Sequence, residues 1–174
     1  MKRRVGLWQL LGFAITALGG TLLHFLYELT GESVWAAPFS AVNESTWEHM
    51  KLLLWPMLLF ALVQSLFFKE YDGFWCVKLC GILIGLSLIP VLFYTYNGAV
   101  GKSPDWINIA IFFVAAAAAY AWEARKIGQG AAPCNFSRLS FIVLLMLAAL
   151  FIIFTFKPLH LEIFKDPITG TYGI

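Results

Sequence analysis

Five long apolar stretches, separated by short polar ones, constrain this chain more than any other feature. They run from Val5 to Leu29, Ser45 to Phe68, Phe74 to Tyr96, Pro104 to Trp122 and Phe136 to Phe156. A helix needs about 20 predominantly apolar residues to cross the hydrocarbon core of a bilayer, and each stretch offers that. The expected fold is therefore all-α. It is a polytopic integral membrane protein, a bundle of five transmembrane helices in one membrane domain, closed by a short extracytoplasmic C-terminal tail over residues 157–174. Short connections predict antiparallel neighbours. Hydrophobic residues make up 60% of the 174 and charged ones 13%, where soluble domains carry about 25% charged. That balance makes the lipid bilayer the expected surroundings and leaves no length for a separate soluble domain. No run of Lys and Arg interleaved with aromatics is present, so nucleic acid is not an expected partner.

Charge placement gives an orientation. Lys2, Arg3, Arg4, Lys69, Lys78, Arg125, Lys126 and Arg138 fall on one side of the five spans, and Lys51, Lys102, Lys157 and Lys165 on the other. Eight against four predicts a multi-pass protein of the cell (inner) membrane with a cytoplasmic N-terminus and an extracytoplasmic C-terminus. Seven of the ten acidic residues fall on the outer side, so the outer face is acidic and the inner one basic. The basic opening resembles a signal-peptide n-region. The apolar stretch after it is longer than a signal core and no small-residue cleavage site follows, so a retained first helix is expected.

Small residues mark expected helix contacts: Gly12, Thr16 and Gly20 in the first span, Gly81-x-x-x-Gly85 in the third, Ala115 to Ala119 in the fourth. Pro56 and Pro90 lie inside spans and are expected to kink them by removing one backbone hydrogen bond each. Cys76, Cys80 and Cys134 form no framework. Cys76 and Cys80 share one helix face, where two thiols are an incomplete zinc site, and all three are read as reduced packing residues.

The stretch from His24 to Pro56 breaks the apolar pattern, and ionisable groups at a membrane boundary are costly unless they meet water, a partner or a ligand. His24 and Glu28 are four apart and share a helix face. Ser45 with Glu48 three later is a capping-box pattern, Ser at the N-cap and Glu reaching back to its N–H. Glu44 suits the positive end of that helix, and Lys51 can pair with Glu48 at three-residue spacing. Ser45, Glu48 and Lys51 thus have structural roles in starting a helix.

Capping does not explain His24, Glu28 or His49. Two readings stand for them: satisfied structural hydrogen bonds, or a site for a proton, a small ligand or a metal ion built from His24, Glu28, Glu44, Glu48 and His49. Imidazole and carboxylate ligands suit zinc or another first-row divalent ion, although the spacing matches no standard zinc signature. All three histidines fall on the predicted outer side. In Leu159-His160-Leu161-Glu162, His160 and Glu162 point the same way if the segment is extended, which would add His160 to an outer polar pocket. Asp166-Pro167 and Gly170 carry turn chemistry, so the tail is expected to fold back as a clasp.

The residues His24-Phe25-x-Tyr27-Glu28, Phe39-Ser40-x-Val42-Asn43-Glu44-Ser45-x-Trp47-Glu48-His49-x-Lys51 and Trp55-Pro56 resemble a family of small bacterial polytopic membrane proteins of unknown function. Phe164-x-Asp166-Pro167-x-Thr169-Gly170-x-Tyr172-Gly173 is similar to its C-terminal signature. The resemblance implies a bacterial inner-membrane protein and brings no activity, substrate, cofactor or catalytic residues.

Three functions fit these features. The first is binding or transport of a proton, metal ion or small polar ligand at the outer pocket; five short helices are few for a transporter, so this role implies a homo-oligomer. The second is a membrane-embedded, metal-dependent hydrolase or transferase with Glu28 or Glu44 as general base. The third is a structural or accessory membrane protein whose polar cluster fixes the first helical hairpin.

Overall fold

The computed structural model of the chain describes residues 2–130, 134 and 136–174. Five helices follow one another: α1 (Lys2–Leu29), α2 (Thr46–Ser65), α3 (Phe74–Ala99), α4 (Asp105–Gln129) and α5 (Ser137–Phe156), with a single 3-10 turn at Glu162–Phe164 in the tail. The fold is all-α. α1, α3, α4 and α5 are each long and apolar enough to cross a membrane.

α2 differs because it is enclosed. Fourteen of its 20 residues are buried, and it packs against α1, α3 and α5 and, less, α4. Its first part, Thr46 to Leu58, is walled in by neighbours and can carry charges, provided they pair, while Leu59, Leu62 and Val63 form an exposed apolar stripe near its C-terminal end. Its start follows the sequence: Ser45 is the N-cap and its hydroxyl accepts the Glu48 N–H at 3.4 Å. The second half of the expected capping box does not form. The Ser45 N–H donates instead to Asn43 Oδ1 at 2.9 Å, an Asx turn that frees the Glu48 carboxylate. α4 ends at Gly130, held at φ 65° where glycine is favoured.

Small residues set the register between α1 and α2. A Cβ on Gly12 would strike the rings of Phe60 and Tyr120, and one on Gly20 would strike the Leu52 carbonyl and the Phe112 ring. Eight residues separate the pair on α1 and eight the facing pair on α2, running oppositely, so these contacts fix an antiparallel hairpin. Thr16, between the glycines, is buried and shares a 2.8 Å hydrogen bond with the Tyr120 hydroxyl of α4. Both α2 and α3 continue as helix through Pro56 and Pro90; Pro56 uses the space that Gly19 leaves open.

The cysteine expectation is corrected: Cys76 and Cys134 form a disulfide. The entry to α5 folds beneath the start of α3 and brings their Cα atoms to 6.0 Å, within bonding reach. Cys80 stays free. This bond lies at the bundle end that carries the N-terminus. The opposite end, called here the tail end, carries the 30–45 loop, the 100–104 turn and the tail.

The tail docks there. Phe164 is buried against Trp47 and Phe154, with ring centroids 4.7 and 5.3 Å away. Asp166 ties the following turn by accepting from the Ile168 N–H at 2.8 Å and the Thr169 hydroxyl at 2.9 Å. Asn43 donates to the Gly173 carbonyl at 3.0 Å, stitching the chain's last residues to the approach to α2.

Candidate metal centre

The α1–α2 register brings His24 to His49. One turn beyond Gly20 on α1 lies His24, and one turn before Leu52 on α2 lies His49; their rings meet edge to face with centroids 5.4 Å apart. The loop fixes α1 at the same level. The Ser40 hydroxyl accepts the Tyr27 N–H at 2.8 Å and donates to the Leu23 carbonyl, so a side chain is inserted into the helix ladder beside His24. Trp55 Nε1 and Lys51 Nζ hold the loop from the other side through the carbonyls of Pro38 and Ala37, at 2.9 and 2.8 Å.

Glu44, in the turn before α2, completes the group. One ligand atom from each of His24, Glu44 and His49 lies within 4.8 Å of the others. His49 Nε2 is 3.4 Å from Glu44 Oε2, while His49 Nδ1 is 3.0 Å from the Ser45 carbonyl. A carbonyl only accepts, so Nδ1 carries a proton and Nε2 turns toward the carboxylate. That contact is favourable only when a cation, a proton or a metal ion, lies between them. The His49 hydrogen bond, helped by the charges of His49 and His24, holds the Glu44 carboxyl below its usual range against the opposing effect of partial burial.

The other expected site residues lie elsewhere. Glu48 is buried and accepts from Lys51 Nζ at 2.5 Å and from the Val42 N–H at 3.0 Å. Lys51 is fully buried and spends its remaining protons on Ala37 O and the Thr155 hydroxyl, at 2.8 and 2.9 Å. These contacts, with both of those to Glu48 made through Oε2, form a lock between loop, α2 and α5. Glu28 is exposed near the end of α1. His160 is exposed too and packs on Tyr172, with ring centroids 4.8 Å apart, while Glu162 pairs loosely with Lys165 at 3.4 Å. A tight turn at His160, closed by the Leu161 N–H on the Leu159 carbonyl at 2.8 Å, and the 3-10 turn from Glu162 interrupt the extended segment expected there.

Two clefts meet at Glu44 and His49. One, of about 480 Å³, runs between α1 and α4 and is lined by His24, Asp105, Asn108 and several aromatic and aliphatic side chains. The other, of about 150 Å³, reaches Asn97, Lys102 and Ser103. Asp105 and Asn108 border both, and Ile168 of the tail closes over both. The sequence shows Asp105 only as one more acidic residue on one side; its position after Pro104, opening a helix against α1, could have singled it out. Asn108 is oriented by Ser103, whose hydroxyl donates to its Oδ1 at 2.7 Å, leaving the amide N–H groups for the cleft.

Two imidazoles and a carboxylate are a ligand set for zinc and other first-row divalent ions. The 3.4 Å between Nε2 and Oε2 is the separation of two ligands on one such ion, each bound at about 2.0–2.2 Å. The Ser45 carbonyl on Nδ1 is the outer partner that metal-bound histidines commonly have. Neither the comparison with curated proteins nor that with solved structures found a match. A family model described as a family of unknown function, DUF6512, matches residues 2–174, and the chain belongs to that family.

Proposed function

We propose that this protein is a five-span membrane protein that binds a first-row divalent metal ion at its tail end through His24, Glu44 and His49. The observation that carries the reading is the convergence of three ligand atoms from α1, the loop and α2 within 4.8 Å of one another. Three protein ligands leave a coordination position open to the larger cleft. α2 serves as the fifth span, its charges covered by the surrounding helices. Ser45, Glu48 and Lys51 have the structural role, and the metal site is separate from it.

Cobalt(II) titration of the chelator-treated protein in detergent tests this. A stoichiometric ion should give the visible ligand-field bands of a low-coordinate nitrogen–oxygen site. His49→Ala and His24→Ala should abolish them, and Glu28→Ala should leave them unchanged. Absence of bound metal in the wild type, or retention of the bands in both histidine variants, refutes the assignment.

For orientation we favour the N-terminal end in the cytoplasm. Lys51 and Lys78 are buried and drop out of the count, so eight against four becomes seven against three. The Cys76–Cys134 bond pulls the other way, since disulfides persist on the oxidising side of a membrane. Alkylation by a membrane-impermeant maleimide in intact cells, with a single cysteine placed at Lys69 or at Lys102, decides. Labelling at Lys102→Cys alone supports the proposed orientation, and labelling at Lys69→Cys alone reverses it.

A further inference from the structure

The larger cleft has two chemically distinct parts. Its mouth is polar: His24, Glu44, His49, Asp105 and Asn108. Its length is largely apolar, with Gly20, Thr21 and Leu52 on one side and Ile109, Phe112 and Phe113 of α4 on the other, and Phe25 flanks the mouth beside His24, ring centroids 5.1 Å apart. Along α4 the lining residues recur as 105, 108, 109, 112 and 113, one helix face over about 12 Å. Phe25 is 51% and Ile109 56% exposed, on helices apolar enough to cross a membrane. The groove therefore opens sideways, toward where acyl chains would lie, with the polar group at its end near the headgroup level.

We propose that this groove takes one aminophospholipid from the surrounding bilayer. Its phosphate sits at the metal ion and the Asn108 amide, its ammonium at Asp105, and one acyl chain lies along Phe25, Ile109, Phe112 and Phe113. The mouth offers both signs of charge that such a headgroup needs. The metal ion and the Asn108 N–H groups receive the phosphate, and Lys102 of the adjoining cleft adds positive charge nearby. The Asp105 carboxylate would repel a purely anionic headgroup and attracts a primary ammonium. A choline headgroup lacks N–H donors for that carboxylate. The assignment rests on the metal reading for the phosphate, and on the groove and Asp105 for the rest.

Native mass spectrometry of cobalt-loaded, delipidated protein, titrated with phosphatidylethanolamine, phosphatidylglycerol or phosphatidylcholine, tests it. One phosphatidylethanolamine should bind per chain, at least about tenfold tighter than the other two, a difference of 1.4 kcal/mol. Asp105→Asn should remove that preference, and Ile109→Trp, which fills the groove, should remove lipid binding. Both variants should keep the cobalt bands. Equal retention of the three lipids, unchanged binding in Ile109→Trp, or full competition by soluble phosphoethanolamine overturns the proposal. Loss of the cobalt bands from lipid-free wild type would instead strike the metal reading, and phosphatidylethanolamine preference in metal-free protein would then still support the groove and Asp105.

Discussion

Glu48–Lys51 and Lys78–Glu123 are chemically the same ion pair, each with an N–O distance of 2.5 Å and each buried inside one helical bundle. Their surroundings differ. Lys51 has three acceptors for its three protons, and Glu48 accepts a backbone N–H besides. Among the described residues Lys78 has only Glu123 as acceptor, with the faces of Phe60, Phe74 and Tyr120 at 5.6–5.9 Å. Glu123 Oε1 has no hydrogen-bond partner among the described residues; it lies against Gly81, where a Cβ would collide with it. Gln9 of α1 and Gln64 of α2 are buried with neither amide atom partnered among the described residues. By helical spacing they lie at the same level, between a layer containing Gly12, Phe60 and Tyr120 and one containing Val5, Phe68 and Ile127. A charge pair in a protein interior is thus either the centre of a satisfied network or an isolated contact. Lys78–Glu123 joins α3 to α4 alone, whereas the Lys51 network joins the 30–45 loop, α2 and α5.

The largest effect should come from breaking the satisfied network. Lys51→Met leaves Glu48 buried beside a single N–H and orphans Ala37 O, while the Thr155 hydroxyl keeps its bond to the Phe151 carbonyl. The expected loss is about 3–5 kcal/mol, read as a fall in melting temperature in detergent. Removing both partners separates the two pairs more sharply. Glu48→Leu with Lys51→Met should stay destabilised, because Val42 N–H and Ala37 O still lose their partners at roughly 1–3 kcal/mol for each buried group. Lys78→Met with Glu123→Leu should be neutral or more stable by about 1–4 kcal/mol, as for an ion pair replaced by apolar groups of similar volume. Equal losses in the two double variants would mean that the Lys78–Glu123 pair is as well supported as Glu48–Lys51. A smaller effect is expected at the N-cap: Ser45→Ala removes the acceptor of the Glu48 N–H and should cost about 1 kcal/mol.

The helices were legible because each apolar stretch has a length and punctuation of its own. Ser45 and Pro104 place helix starts by local chemistry that needs no partner, whereas α4 runs on past the expected end at Trp122 to Gln129. The resemblance read from the His24–Pro56 and tail signatures agrees with the family that covers the chain. Less legible was which residue faces which across helices. Glu28 shares a face with His24 within α1, yet it lies exposed at the helix end. Glu44 takes its place because Gly12 and Gly20 set the register that brings α2 to His24. Spacing along one helix cannot supply that register, although the small-residue ridge was its visible cause. The sequence reads Glu48 as a helix cap paired with Lys51, and their depth is set by the enclosure of α2, which buries both. The Cys76–Cys134 contact spans 58 residues and depends on where α5 enters, which no local pattern encodes.

The smallest effect belongs to the contact that is neither buried nor locked, Glu44 with His49, and it is expected in chelator-treated protein. The folded state holds the Glu44 carboxyl below its unfolded value, chiefly through the His49 hydrogen bond. Its contribution is therefore present above the usual carboxylate range, as long as His49 Nε2 keeps its proton, and is lost as pH falls through the lowered folded value. The Glu44 side chain is 42% exposed and solvent screens it, so the contribution is well under 1 kcal/mol. Melting temperatures of wild type and Glu44→Gln should differ slightly near neutrality and converge in acid. A gap as large as that of Lys51→Met would place Glu44 with the locked network. A gap that persists below the folded value would mean that Glu44 acts through packing and not through its charge.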